Sequence, residues 1–344
     1  MSVSGVPIFG AIVDFTNGAT FISTAFTLDD ATKGKLDTGQ LADASDSVDI
    51  GAICLQASIR RGRNRMLDKF EAGTATVVLQ DDNGDWNPAN PLGKYYGKLV
   101  PLRKIEIYAD YNGTRYVLFT GFIQSYVTNF AVGVEDRSKV TLQCVDGFRT
   151  LNNAVVNTIT SSAGDLSGTR ITQFLNYALW PTAFRKLDAG SSTMQVDPGT
   201  ANRQVLDAIQ LVADKSEFGG FFIDSDGNAV FLSRDSLSKR AAAPTVTYSD
   251  DGVNVGYQGI EIMHDDILIV NDATVQRLGG TAQNVQDSAS QTQYFLHSGV
   301  RQGILVQTDA EALNQAKMLL IARKDASLRI SSLSLNLFDP TSPD

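Results

Sequence analysis

Histidine and cysteine are nearly absent: the chain of 344 residues has two of each, His264 and His297, Cys54 and Cys144. Two cysteines make no disulfide framework, and neither histidine lies near a cysteine in sequence, which argues against zinc sites of the Cys/His type. Both thiols are expected to be small buried groups. Any catalytic histidine must be His264 or His297. No run approaches the ~18 uncharged apolar residues of a membrane span. The opening MSVSGVPIFG lacks a basic stretch followed by a long apolar one, so no secretory leader is expected and folding in a cytoplasm is. Glutamate is scarce as well. Of 38 acidic residues only six are Glu and 32 are Asp. Aspartate competes with the backbone for hydrogen bonds and favours turns and caps over helix interiors. The imbalance points to many turns, few long surface helices and a β-rich chain.

Apolar residues at 43% against 19% charged exclude disorder for the chain as a whole. The length predicts two or three domains with cores of their own. A net charge of −9 disfavours general affinity for nucleic acid or anionic lipid.

The first 150 residues read as strands: Ala52 to Arg60, Gly73 to Leu79, Leu102 to Ala109, Tyr116 to Phe130 with Gly121 inside, and Lys139 to Val145. A glycine within a strand marks a bulge or a barrel corner. Short strands between turn residues argue for a barrel or sandwich. Asp146 to Asn153 reads as a short closing helix. Composition shifts near residue 155. Ile171, Phe174, Leu175 and Leu179 then follow helical spacing until Pro181, and a second helix covers about Arg203 to Ser216. A hairpin follows, Gly219 to Ile223 and Ala229 to Leu232, with Gly227 supplying positive φ in its turn. Leu237 to Pro244 reads as a linker. β signals return at Gly259 to Met263 and Ile267 to Gln276, with a turn at Gly279-Gly280. A helix from about Asp309 to Arg323 opens on a capping box of Thr308 and Glu311, and Leu328 to Leu337 is a last strand. The expected fold class is mainly β with an α+β insertion. Residues 1–155 form a first barrel-like β domain, 156–240 a small α+β domain, 241–338 a second barrel-like β domain with one helix, and 339–344 a tail.

Candidate sites are few. The loop Asp81-Asp82-Asn83-Gly84-Asp85-Trp86-Asn87 alternates oxygen ligands as a calcium loop does, but Trp86 stands where glycine is needed and Leu92 where a bidentate Glu is needed. No metal is expected there. Arg60, Arg61, Arg63 and Arg65, with Lys69, form the one basic cluster. No aromatic interleaves with it, so contact within the chain or with a partner subunit is expected over nucleic-acid binding. There is no G-x-S-x-G, P-loop, G-x-G-x-x-G or H-E-x-x-H motif. His264 beside Asp265 and Asp266 is adjacency that a chain so rich in Asp produces by chance. A carboxylate pair for glycoside hydrolysis stays open, as does glycan binding on Trp86, Trp180, Tyr95 and Tyr96. No enzyme activity and no cofactor is expected.

The stretch from Arg61 to Phe122 has a specific order: an Arg-Gly-Arg strand end, an F-x-A-G-T-A-T-V strand, an N-G-D-W-N-P-x-N loop, a Y-Y-G, a P-x-R-K strand and an L-F-T-G-F-I strand. It resembles the opening domain of baseplate hub, or tail-tip hub, proteins of long-tailed bacteriophages, known as minor tail proteins. CVDGFRTLN, FFIDSDGNAVFLSR, the YQGIEI to IVNDATVQR stretch and DAEALNQAKMLL extend the resemblance over most of the chain.

The resemblance implies a homotrimeric ring at the distal end of a tail tube. Two tube-type barrel domains per subunit would match the six-fold tube above. Its implied partners are the distal tail protein ring, the tape measure protein and tail-tip or receptor-binding proteins. Its implied place is the distal tail of the virion, assembled in the host bacterial cytoplasm. The long C-terminal extensions of many hubs have no counterpart after the last strand here, so host-recognition or cell-wall activity is expected on another protein.

Overall fold

The computed structural model describes residues 7–15, 47–63, 70–130, 138–199, 202–242, 247–251 and 256–335. The fold is mainly β with α+β parts. The chain divides into two compact units: Met1–Ala154 with Ala178–Lys186 and Phe222–Val230, and Val155–Tyr177 with Leu187–Phe221 and Phe231–Asp344. Residues 156–240 are therefore shared between the two.

The first unit is built on one seven-stranded antiparallel sheet. Its strands are β1 (Ile8–Asp14), β2 (Ser47–Asp49), β3 (Cys54–Gly62), β4 (Glu71–Gln80), β5 (Lys104–Tyr111), β6 (Thr114–Asn129) and β7 (Lys139–Val145), in the order β2-β1-β5-β6-β7-β4-β3. The edge strands β2 and β3 are consecutive in the chain, joined by one 3-10 turn at Gly51–Ile53. Only four residues separate the two strands, and the five steps from Asp49 to Cys54 reach no further than about 18 Å, so the sheet must curl until its two edges approach. The concave side holds the core, with Val13, Val77, Leu79, Ile105, Phe119 and Leu142 at 0% exposure. In β4 every second residue from Gly73 to Leu79 is buried, the period-two pattern that fixes register. Full burial of such side chains contributes about 1.5–3 kcal/mol each.

The sequence pattern does not reveal β1 and β2. β2 has only three residues, and β1 is an apolar run interrupted by Gly10 whose partner, β5, lies nearly a hundred positions away. β5 starts later than expected because Leu102 turns left-handed at φ 68°, donating its amide to Ile123 O at 2.7 Å. Bulges fall on either side of Gly121, opposite Ile107/Tyr108 and at Ile123/Ser125.

In the second unit α2 (Ser167–Tyr177) follows α1 (Phe148–Asn153), the helix that closes unit one. Ile171, Phe174 and Leu175 are buried as expected, but Leu179 is 87% exposed. The helix ends at Tyr177 and Leu179 takes φ 56°, which swings its side chain out of the stripe. α3 (Val205–Gln210) widens into a π turn at Leu211–Ser216. In the hairpin Gly220–Ile223/Ala229–Leu232, Gly227 has φ 85° and Asp224 Oδ1 accepts the amides of Asp226 and Asn228.

The expected linker is instead helix: α4 covers Arg234–Ala242, and residues 243–246 lie outside the described ones. Leu, Lys, Arg and Ala are good helix formers, and Ser233 Oγ accepts the Ser236 amide at 3.3 Å. The strand expected from Ile267 begins at Asp272, since Asp266 to Ile269 forms a turn. Asp272–Arg277 lies between Gln283–Gln286 and Ser298–Ile304, while Gly259–His264 pairs with Leu328–Ser334. α5 (Ser288–Tyr294) is capped by Asp287, and α6 (Asp309–Arg323) by Thr308. Only half of the capping box forms. Thr308 Oγ1 accepts the Glu311 amide, but the Glu311 carboxylate turns to Thr193, accepting its amide and its hydroxyl, both at 3.0 Å.

Candidate functional site

The basic cluster and the Asp-rich loop both belong to unit one. β3 and β4 slip register between Arg60 and Gly62, so Arg61 stands at a bulge, a device that re-aims a side chain. Arg60 points to water and pairs with Glu71 at 3.4 Å, with side-chain exposures of 71% and 57%. Arg63 lies over the Phe70 ring, 4.7 Å from its centre. Arg61 lines a cavity of about 300 Å³ with Gly62, Phe70, Glu71, Asp146 and residues 222–225. Phe70 and Phe222 meet there with ring centres 4.8 Å apart. The structure thus gives three of the arginines three different neighbours. Arg65 lies outside the described residues.

Asp146 anchors this cavity. It is 4% exposed, and its Oδ2 accepts the Gly73 amide at 2.6 Å while Oδ1 accepts the Phe148 amide at 2.9 Å. Burial pushes its carboxyl up to about 6, against the pull of the two amides and of Arg61. Gly73, the glycine of the F-x-A-G-T-A-T-V strand, is required here: a Cβ would sit 2.7 Å from Asp146 Oδ2.

The Asp81 to Tyr95 loop turns inward. Trp86 is 2% exposed and Tyr95 8%, and the two rings pack together at 4.8 Å and against Phe15 at 6.0 and 5.3 Å. The loop's oxygens serve its own backbone. Asp81 accepts the Trp86 amide, Asp85 the Lys94 amide at 2.9 Å, Asn87 the Ala89 amide at 3.0 Å and Asn90 the Leu92 amide at 3.1 Å. Burial raises the Asp81 carboxyl above the usual range. A cavity of about 380 Å³ beside the loop is lined by Asp81, Asp82, Asp85, Lys94, Trp86 and Tyr95 among others. Among the described residues no group of three or more His, Cys, Asp or Glu side chains is placed to hold a metal ion.

The remaining candidates disperse. Asp265 ion-pairs with Arg329 and accepts the Ile267 amide, and His264 stands on an exposed strand. His297 bonds Asn271 through its backbone. Cys54 is half-buried and Cys144 buried, both as free thiols, and burial pushes the Cys144 thiol up to about 12. Trp180 is 2% exposed, its Nε1 donating to Phe184 O at 2.9 Å. Of the four aromatics considered for glycan binding, only Tyr96 is exposed. No described helix is long and apolar enough to cross a membrane. Sequence reasoning missed Asp146: the signal was an acid directly after the strand KVTLQCV and before the glycine that opens α1.

No family model matches the sequence, and no curated protein sequence matches it. Solved structures of similar chain course include phage tail and type VI secretion proteins. A tail protein from Neisseria meningitidis is 17% identical, with 80% of this chain and 78% of that one covered at a TM-score of 0.49. A prophage tail protein from Listeria monocytogenes is 8% identical over 92% and 78%, at 0.47. A component of the Escherichia coli type VI secretion system is 12% identical over 61% and 54%, at 0.36.

Proposed function

We propose that this chain is a structural protein of a phage tail and, within the tail, a homotrimeric hub that closes the distal end of the tube. In this reading it sits in the virion below the distal tail protein ring, meets the tape measure protein, and carries tail-tip or receptor-binding proteins. Residues 1–155 and 241–338 supply its two tube-type β domains, with 156–240 between them.

The observation that carries the reading is the curled sheet of unit one, whose strands β3 to β6 and the loop between them are the stretch with the hub-like order of motifs. The distinctive residues of that stretch hold the sheet together. Gly73 admits Asp146, and Trp86 fills the core beside Phe15 and Tyr95. β3 is a sheet edge of nine residues, none of them buried. An edge of that length invites a neighbouring strand, and closure into a ring is one way to protect it.

We also propose that the chain is not an enzyme. Among the described residues one carboxyl is raised to about 6, that of Asp146, and both its oxygens are engaged by backbone amides, so it lacks the freedom of a general acid. The burial of Trp86, Trp180 and Tyr95 removes most of the surface that a carbohydrate-binding reading needs. A reconstruction of the tail tip tests the assignment through the number of copies around the tail axis.

A further inference from the structure

We propose that Tyr108 and Asp49 form a latch on the seam of unit one: it fastens β2 and the turn behind it across the outside of β1, and when it breaks that strap lifts ahead of the rest of the sheet. The seam follows from the strand order. β2 and β3 are the two edges of the curled sheet, and among the described residues no ladder joins them. Ile50 to Ile53 alone cross from one edge to the other. β2 is three residues long and pairs with β1 through Ser47, Val48 and Asp49. So short a ladder holds little, and weakly held edges open locally before a core unfolds.

Side chains hold the strap instead. Ile50 enters the core at 1% exposure, and its amide donates to Ala11 O at 2.8 Å. On the other side of the sheet Tyr108 of β5 lies across β1. Its hydroxyl donates to Asp49 Oδ2 at 2.5 Å, so a residue of β5 grips β2 with a whole strand between them. Gly10 makes the crossing possible: it stands directly opposite Tyr108 in the β1/β5 ladder, and a Cβ there would collide with the phenol ring. Arg115 covers that ring, its guanidinium 3.5 Å from the ring centre, and Asp110 holds Arg115 through two bonds of 2.9 Å. Tyr108 is thus 5% exposed although it lies outside the core cluster.

Asp49 joins the latch to the turn. While Oδ2 accepts the phenol, Oδ1 accepts the Gly51 amide at 2.9 Å. One carboxylate thus couples β5, β2 and the strap. Burial, and then the bond to Asp49, push the phenol up to about 12, so the hydroxyl stays a donor through the ordinary pH range. Hydrogen bonds to a charged partner are among the stronger ones, and strand edges left unfastened invite foreign strands. The latch therefore sets how often the edges at the seam are open to them. It belongs to unit one alone and does not depend on the trimeric reading.

The two native thiols report the opening. Cys54, the first residue of β3, ends the strap and is half-buried against the core, whereas Cys144 is buried in β7. Lifting the strap uncovers Cys54, and unfolding of the sheet uncovers Cys144. The test follows maleimide labelling of each thiol by peptide mass, and hydrogen exchange over residues 47–54, in the full chain at rising sub-denaturing urea. In the parent both the Cys54 labelling and the exchange over 47–54 stay nearly flat with urea, since a lifted strap exposes little surface, while Cys144 labelling rises steeply. Tyr108→Phe, which removes the hydroxyl and keeps the ring, speeds Cys54 labelling and the exchange at least about tenfold and leaves their flat urea dependence as it was. In an Asp49→Ala background the same substitution adds nothing. Unchanged rates in Tyr108→Phe overturn the latch. So does a Cys54 urea dependence as steep as that of Cys144, because the seam then opens only when the whole sheet unfolds. A tenfold effect that persists in Asp49→Ala overturns it too, because Asp49 is then not the partner.

Discussion

Asp146 and Gly73 are locked together: the carboxylate Oδ2 accepts the glycine amide at 2.6 Å, in a place where a Cβ would collide with it. The folded state holds this carboxyl at about 6, above the 3.8 of an unperturbed aspartate. A raised folded value favours the protonated form, so its contribution to stability is full below about pH 4 and is lost as pH rises through about 6. The expected loss is at most about 3 kcal/mol. Denaturant titrations at several pH values check it: Asp146→Asn gains on the parent between pH 4 and 7, and a pH-independent difference contradicts the assignment.

Trp86 fills the core against Phe15 and Tyr95 while its amide is held by Asp81. Trp86→Ala is expected to cost about 3–5 kcal/mol, with a fall in the midpoint of unfolding. Asp81→Ala leaves that amide without its carboxylate partner and is expected to cost about 1–3 kcal/mol. Either variant within about 0.5 kcal/mol of the parent would mean that the loop is not an anchor.

Glu217 is fully buried and accepts the Ser167 hydroxyl at 2.9 Å and the amides of Ser191 and Ser192 at 3.0 and 2.7 Å. Glu217→Ala strands all three donors and is expected to destabilise the second unit by about 3 kcal/mol or more. Glu217→Gln, which keeps an acceptor, costs less. Equal effects of the two substitutions on thermal unfolding would contradict this role.

The arginines at and just after the end of β3 are expected to bind no DNA. Arg60 is engaged by Glu71, Arg63 by Phe70, and Arg61 faces Asp146. A filter-binding titration should show no tight complex and no steep salt dependence. A steep dependence that disappears in Arg60→Ala/Arg61→Ala would reverse the reading.

Much of the fold was legible because period and caps are local signals. The strands of KVTLQCV and GTATVVL and the helix at Asp309 announce themselves through alternation, β-branching and Thr308. What failed depends on partners remote in sequence. β1 becomes a strand through β5, and Glu311 leaves its capping box for Thr193. The cavity was partly legible: Arg61 and Arg63 stood out as a cluster. Phe70, Asp146 and Phe222 reach the same place from three separate stretches, and no spacing in the sequence encodes that meeting.

The central claim is that three copies of this chain close the end of a phage tail. The most direct measurement is a reconstruction of the tail tip, computed without imposed symmetry, from particles carrying a tagged version of the chain. The account predicts three copies in one ring around the tail axis, directly below the distal tail ring. One copy, six equivalent copies, or a position away from the tail would contradict it.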